Sequence, residues 1–515
     1  MTGKDAKKER LSHGIIKNIL WNFIGQAWMF GLAFFATPFI VRALNVDLYA
    51  IYALVSVVVG YFAFLQLGLG AASIKYVASY LNTGQEDEVR RTFWSCLAAH
   101  GFLGLIGMLA IISSARFFTD TILKIPADLR GVCLFALIAA SAGFFISMVL
   151  GSVSAIIQAA GRFDLLNRIG IALGSLQVSV TVILLKLGYS LKEVVVANVA
   201  VQALGVCLYW ISAKNLFPFL ARPAWDPKAL VKLLRFGGFV TISSVTTPIF
   251  LNIEKIFLAS LRSISNLTYY SVPFALTDRL SVIRSSFSTV LFPAFSRLDS
   301  AHEKEASREL YYRSALYILF LYAFFVLFLA TFGRSFLAVW IGEDFAERSA
   351  AILVILAVAV LVNAMAGPSL NILQGVGKPH IPAAFHIIEV IFYVPLAYIL
   401  IRKFGGTGAA LAFLARALLD TALLHKAAAV LFGEGLFAWY LRLFRRSFAP
   451  VFVCGLLLWW LKNFSPYILH PLTIGGLIAA FVVYAYIIWQ WGLDDFARER
   501  ARSFLKGLPE NIMAG

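Results

Sequence analysis

The chain has 515 residues, of which 60% are hydrophobic, 15% aromatic and only 14% charged, with a mean hydropathy of +0.83. A soluble protein carries about 25% charged residues to wet its surface, so this composition excludes a set of water-soluble domains and makes lipid the main solvent. The net charge of +17 does not mark a nucleic-acid surface, because the Lys and Arg residues lie in short segments between apolar runs, as in cytoplasmic loops of membrane proteins.

Residues 1–10 carry Lys4, Lys7, Lys8 and Arg10 and lead into an apolar stretch reaching about Leu44. That run exceeds the roughly 7–15 residues of a signal-peptide core, and no small-x-small cleavage site follows, so it reads as an uncleaved first span. Asn18, Asn22 and Gln26 form a polar face on it, ahead of a kink expected at Pro38. With this first span near 19–43, apolar segments follow near 49–73, 92–115, 131–158, 169–187, 194–213, 236–260, 267–295, 314–341, 349–374, 381–401, 407–430, 447–463 and 470–492. Each approaches the roughly 20 residues that cross a bilayer as a helix. The expected fold is an all-α polytopic membrane protein of about 14 transmembrane helices. The cysteines Cys96, Cys133, Cys207 and Cys454 are too scattered for a disulfide framework or a zinc site.

With both termini in the cytoplasm and the sides alternating, roughly 28 of the 44 Lys and Arg fall in cytoplasmic segments and roughly 12 opposite. The longest connections, 75–91, 214–235, 296–313 and 431–446, all lie on the cytoplasmic side of this scheme. Four basic residues, Lys255, Arg279, Arg284 and Arg416, remain inside spans. An ionisable group at bilayer depth costs about 2.5–3.5 kcal/mol on insertion scales, so each should face a cavity or a partner.

The buried charges concentrate in spans seven to twelve. Glu254 and Lys255 are neighbours on span seven, about 100° apart around the helix, and Lys255 could line a cavity or snorkel outward. On span eight Asp278, Ser281, Ser285 and Ser288 follow three-to-four spacing and form one polar stripe bordered by Arg284, with Arg279 turned away from Asp278. Hydrogen bonding between helices and a pairing of Asp278 with an Arg would explain the same stripe without a cavity. On span eleven His386 and Glu389 share a face with Tyr393, a possible proton site because His titrates near neutrality; His386 could equally be a packing residue. On span twelve Arg416 and Asp420 are four apart and could bridge directly, unless a substrate phosphate competes for the guanidinium.

An internal repeat organises these spans. Ile156-Ile157-Gln158-Ala159-Ala160-Gly161-Arg162 after span four matches Ile372-Leu373-Gln374-Gly375-Val376-Gly377-Lys378 after span ten, an offset of about 216 residues or six helices. Ser79 to Gly84 and Ser296 to Ala301 correspond at nearly the same offset, and Thr37-Pro38 corresponds to Thr247-Pro248. An even number of helices gives both copies the same orientation, and parallel repeats place substrate sites at their interface. The expected organisation is an N-terminal lobe at 1–213, a cytoplasmic linker at 214–235, a C-terminal lobe at 236–430, and two further helices with a cytoplasmic tail at 431–515.

Further motifs run in order along nearly the whole chain: Trp21-Asn22, Leu44 through Tyr52, Leu67-Gly68-Leu69-Gly70, Lys75-Tyr76-Val77-Ala78, the two Gln-x-x-Gly-Arg/Lys ends, and Glu254-Lys255 followed by Tyr269-Tyr270-Ser271. The chain resembles the polysaccharide-transporter branch of the multidrug/oligosaccharidyl-lipid/polysaccharide flippase superfamily. Glu254 departs from the pattern, where Asp is more often expected. The resemblance implies a bacterial inner-membrane flippase that moves undecaprenyl-diphosphate-linked oligosaccharide from the cytoplasmic to the periplasmic leaflet by alternating access, with polysaccharide polymerase or export proteins as partners.

On that reading a basic cleft between the lobes, formed by Arg284, Arg416, Arg279 and Lys255, holds the diphosphate of a polyprenyl-diphosphate-linked saccharide while its tail stays among membrane lipids. Asn22, Gln26, Ser281, Ser285 and Ser288 line the polar cleft. Glu254, Asp278, Asp420, Glu389 and His386 are candidates for a coupling H+ or Na+; no other cofactor and no metal centre is expected. A lipid II flippase and a multidrug or organic-cation antiporter of the same superfamily are the near alternatives. A membrane glycan polymerase or ligase is the alternative of another class, and the chain shows no nucleophile–His–acid motif, Gly-rich phosphate loop or extended external loop to support one. The protein is therefore read as a transporter and not an enzyme, with no nucleic-acid partner.

Overall fold

A computed structural model describes the backbone of residues 3–433, 435–465, 468–492 and 498, and side chains at those positions except 3–24, 238–249, 251 and 436. Among the described residues all regular structure is helical. In chain order the helices are α1 (Gly3–Tyr61), α2 (Leu69–Asn82), α3 (Glu86–Phe117), α4 (Ala127–Ala159), α5 (Phe163–Lys186), α6 (Leu191–Leu216), α7 (Pro227–Leu261), α8 (Ile264–Asp278), α9 (Ser281–Ser300), α10 (Lys304–Trp340), α11 (Glu343–Gly375), α12 (His380–Phe432), α13 (Leu436–Phe464) and α14 (Pro471–Ile487). A backbone in lipid must satisfy its own hydrogen bonds, which is why a chain this apolar resolves into helices.

Two of these helices contain a break. In α1 the chain turns at Asn45 (φ 60°, ψ 173°), and the Asn45 Oδ1 accepts hydrogen bonds from the backbone N–H groups of Asp47 and Leu48, both at 3.1 Å. Asn45 thus caps the helix that follows, giving its first N–H groups an acceptor. In α12 the turn falls at Gly405 (φ 57°, ψ −130°), a conformation open to glycine and strained for residues with a Cβ. The arms on either side, 380–404 and 406–432, pack so tightly that a side chain at Gly408 would collide with the Leu400 carbonyl. Ten stretches among the described residues are long and apolar enough to cross a membrane. Once α1 and α12 are each counted as two, and α7 and the α8–α9 pair are added, each predicted span has a helical counterpart, but span two, expected to reach residue 73, leaves its helix at Tyr61 and passes through a 3-10 turn and left-handed Leu67 and Gly68 into α2.

Span eight is not one continuous helix: the chain turns at Arg279 and Leu280, between α8 and α9. The Tyr322 hydroxyl on α10 donates to the Leu280 carbonyl at 2.5 Å, satisfying a backbone group that the break releases.

The chain divides into two compact units, Met1–Ser271 and Val272–Gly515. In the first, α3 packs on α4, α4 on α6 and α1 on α5, while α7 lies against α1, α2 and α3. One core of this unit gathers Leu44, Ile51, Leu54, Leu123, Leu137 and Leu191. In the second, α11 is flanked by α10 and α12 and backed by α9, with α13 against α10 and α14 against α13. Phe332, Cys454, Leu458 and Tyr484 form the core under the last two helices.

Candidate functional site

Among the described residues, the densest group of buried ionisable side chains lies on α12. Its first arm presents His386, Glu389 and Tyr393 at three-to-four spacing, and its second presents Phe413, Arg416 and Asp420 likewise. The turn at Gly405 sets the arms antiparallel, so position 386 meets 420 and position 389 meets 416. His386 Nε2 lies 3.9 Å from Asp420 Oδ1, and Arg416 Nη1 lies 3.9 Å from Glu389 Oε2. Glu389 is fully buried, Asp420 is 5% exposed and Arg416 8%, whereas His386 is the accessible member.

Arg416 is held further by aromatic faces, its guanidinium 5.0 Å from the Phe413 ring centre and 5.7 Å from that of Tyr393, a contact worth more once water is excluded. Neither oxygen of Glu389 has a hydrogen-bond partner among the described residues, nor does Asp420 Oδ1. His386, Glu389 and Asp420 can each turn one ligand atom toward a common point, with all three atoms within 4.8 Å of one another. Two carboxylates and an imidazole suit a proton or a small cation, and the Arg416 charge beside Glu389 opposes a second positive charge there.

Elsewhere the predicted residues fall into smaller groups. Arg284 on α9 lies along α11, its Cγ filling the space above Gly367. Ser288 accepts a hydrogen bond from Asn371 Nδ2 on α11 at 3.0 Å, and Ser285 donates to the Val282 carbonyl of its own helix. Asp278 and Arg279, at the α8–α9 break, are exposed, and Ser281 begins α9. The break interrupts the stripe between Asp278 and Ser281, so these residues share a region and not one helical face. In the first unit Glu254 is fully buried on α7, and Lys255 donates to Asn252 Oδ1 at 2.9 Å. Gln26 is exposed on α1, while the Asn22 side chain lies outside the described residues.

Several polar residues were not anticipated. A cavity of about 190 Å³ in the first unit is lined by Tyr52, Ser56, Ser147, Gln177, Asn198 and Gln202, where Thr181 donates to Asn198 Oδ1 at 3.4 Å. His100 is buried with Nδ1 2.6 Å from Ser152 Oγ. In the second unit His425 lies between the Tyr440 hydroxyl at 2.6 Å and the Met365 carbonyl at 2.9 Å. A polar residue within an apolar run is the sequence signal for all of these, and Gln177, Asn198 and Gln202 carry it on adjacent helices.

The site sits in a recognised frame. A model of the polysaccharide biosynthesis protein family matches residues 15–299. The chain is 25% identical over 420 residues to the putative O-antigen transporter of Shigella flexneri, covering 80% of this chain and 97% of that one. It is 21% identical over 276 residues to the uncharacterized membrane protein EpsK of Bacillus subtilis, covering 52% and 54%. Among solved structures it resembles an inward-facing multidrug resistance MATE family transporter of the MOP superfamily, with a TM-score of 0.69 and 13% identity over 78% of this chain and 95% of that one. It resembles the lipid II flippase MurJ in its inward closed conformation about as well, with a TM-score of 0.68 and 12% identity over 92% and 99%. The fold is common to drug transporters and lipid flippases, so it does not choose between them; the family match covers more than half the sequence, and the chain belongs to the polysaccharide biosynthesis protein family.

Proposed function

We propose that the protein is a flippase for a lipid-linked saccharide, moving a polyprenyl-diphosphate-linked oligosaccharide from the cytoplasmic to the periplasmic leaflet by alternating access. Family membership and the likeness to an O-antigen transporter along 97% of that protein support this reading over drug export. Arg284 and the exposed Arg279 are the proposed contacts for the diphosphate, whose paired oxygens suit the planar guanidinium fork. Arg416, buried against Glu389, belongs with the coupling group.

The observation that carries the coupling is the wholly buried Glu389 carboxylate, set 3.9 Å from Arg416 and beside His386 and Asp420. A proton or Na+ taken up by this group changes its balance with Arg416 and so the packing of the two arms of α12. Only a ligand with different affinities for two states can shift their equilibrium. The test is transport of a lipid-linked oligosaccharide in vesicles under an imposed proton or Na+ gradient. Wild type should respond to one gradient and Glu389→Gln to neither, with the protein still folded and inserted. Gradient-independent movement by wild type would overturn the coupling, and failure to move any lipid-linked saccharide would overturn the substrate class.

A further inference from the structure

A surface of the second unit, along α10 and α13, is not used by the transport reading. At the start of α13, Arg442, Arg445 and Arg446 join Tyr312 of α10 around an open cavity of about 520 Å³. Arg442 is fixed: its guanidinium stands 4.3 Å from the Tyr312 ring centre, it pairs with Glu309 at 3.5 Å, and its carbonyl accepts from the Tyr312 hydroxyl at 3.0 Å. Glu309 is shared with Arg313 at 2.7 Å. Among the described residues no acidic group lies within ion-pair distance of Arg445 or Arg446, and no acid lines the cavity. The cavity is therefore positive, with two exposed guanidinium groups beside one held in place.

An apolar groove of about 660 Å³ lies between the same two helices, over residues 440–456 of α13. Phe444, Phe448 and Phe452 recur every fourth residue, so they share one face of α13 and form one wall. Successive rings lie 5.1 and 5.3 Å apart, and the three side chains are 58%, 49% and 52% exposed. Leu319 and Leu327 of α10 form the other wall, and Gly455 and Leu456 lie toward the far end. At 1.5 Å per residue, the stretch from 444 to 456 is about 18 Å long, enough for one leaflet of a bilayer about 30 Å thick. The arginines stand at the end that the charge asymmetry assigns to the cytoplasmic surface.

We propose that this is a binding site for an anionic phospholipid of the cytoplasmic leaflet, with its phosphate on Arg445 and Arg446 and an acyl chain along the phenylalanine ladder. An ordinary lipid-facing helix presents apolar side chains with snorkelling ends. Here the basic end is a preformed cavity with one arginine anchored, and Arg445 shares a face of α13 with Phe448 and Phe452, three and seven residues further on. Charge decides the occupant: each basic residue near the surface adds about a fivefold preference for an anionic lipid, whereas a zwitterionic headgroup gains little.

The test is native mass spectrometry of the purified full chain equilibrated with equal amounts of phosphatidylglycerol and phosphatidylethanolamine. Wild type should retain phosphatidylglycerol several-fold over phosphatidylethanolamine. Arg445→Ala with Arg446→Ala should erase that preference, the corresponding double Lys variant should restore much of it, and Val451→Trp should reduce retention of both lipids. Inorganic phosphate should not displace the bound lipid. Equal retention of the two lipids by wild type, or a double Ala variant with an unchanged preference, would overturn the site. Displacement by inorganic phosphate would reduce it to a phosphate site, and preferential capture of a polyprenyl phosphate would assign it to substrate; either result overturns the phospholipid. The thermal midpoint of each variant separates lost binding from lost fold.

Discussion

The α5–α6 pair of the first unit and the two arms of α12 in the second occupy matching places in the repeat expected from the sequence, yet they carry different chemistry. In α5 and α6 the inward polar residues are neutral: Gln177, Thr181, Asn198 and Gln202 adjoin a cavity of about 190 Å³, joined by the 3.4 Å contact from Thr181 to Asn198. In α12 the corresponding region holds His386, Glu389, Arg416 and Asp420. Amides and hydroxyls keep their charge state whatever the pH or ionic gradient. Carboxylates and a guanidinium in the same setting are stable only as a set, because removing one charge leaves another exposed to a low dielectric. On the proposed coupling, the α12 group would answer to ions and the α5–α6 pair would not.

Removing Arg416 is the most severe way to break that contrast. Arg416→Ala leaves Glu389 buried without the guanidinium that faces it, and breaking a buried pair costs about 3–5 kcal/mol. Thermal unfolding of the purified variant should drop markedly and transport should be lost. Pairing it with Glu389→Gln should recover much of the thermal stability and none of the gradient response. Wild-type stability in Arg416→Ala would show that the charges in α12 are as dispensable as the amides in α5 and α6.

The turns come next. Gly405→Val forces a β-branched residue into φ 57°, at a cost of about 1–3 kcal/mol, and it should loosen the register that sets 386 beside 420 and 389 beside 416. The same loss of stability should appear with Glu389→Gln in the background if the turn acts through the backbone alone. Asn45→Ala in α1 removes a cap and should cost about 1 kcal/mol. An equal loss in both would mean that the α12 turn carries no strain of its own.

Both turns were legible in the sequence for the reasons that make them turns: Gly405-Gly406 ends one apolar run and begins another, and Asn45 separates two. The α8–α9 break was not, because Arg279 and Leu280 are ordinary helix formers and the three-to-four spacing of Asp278, Ser281 and Ser285 runs unbroken through them. The members of the α12 group were all visible as charges within apolar runs. Their pairing was not: spacing within one helix suggested Arg416 with Asp420, while the partner across the turn, Glu389, depends on the register of two antiparallel arms. A pattern read along one helix finds neighbours on that helix, and contacts between helices appear only once packing is known.

On the neutral side, Asn198→Ala removes a second acceptor of the Thr181 hydroxyl, which also donates to the Gln177 carbonyl at 2.9 Å, and should cost at most about 1 kcal/mol. The loss should be the same at pH 6 and pH 8, since neither side chain titrates. Transport should change only a few-fold with the shape of its pH profile unaltered. A pH-dependent loss would mean that the first unit also takes part in ion coupling.

His386→Asn is the gentlest substitution and the most selective. The imidazole is 37% exposed and meets the buried Asp420 only at 3.9 Å, beyond hydrogen-bond distance, so thermal stability should fall less than in Arg416→Ala. His is the one side chain of the group whose ordinary titration lies between about pH 5 and 8. If protons reach Asp420 and Glu389 through it, the variant should keep its transport at one pH and lose the dependence on pH across that range. An unchanged slope would take His386 out of the coupling group and leave the two carboxylates and Arg416 as the whole difference between α12 and the α5–α6 pair.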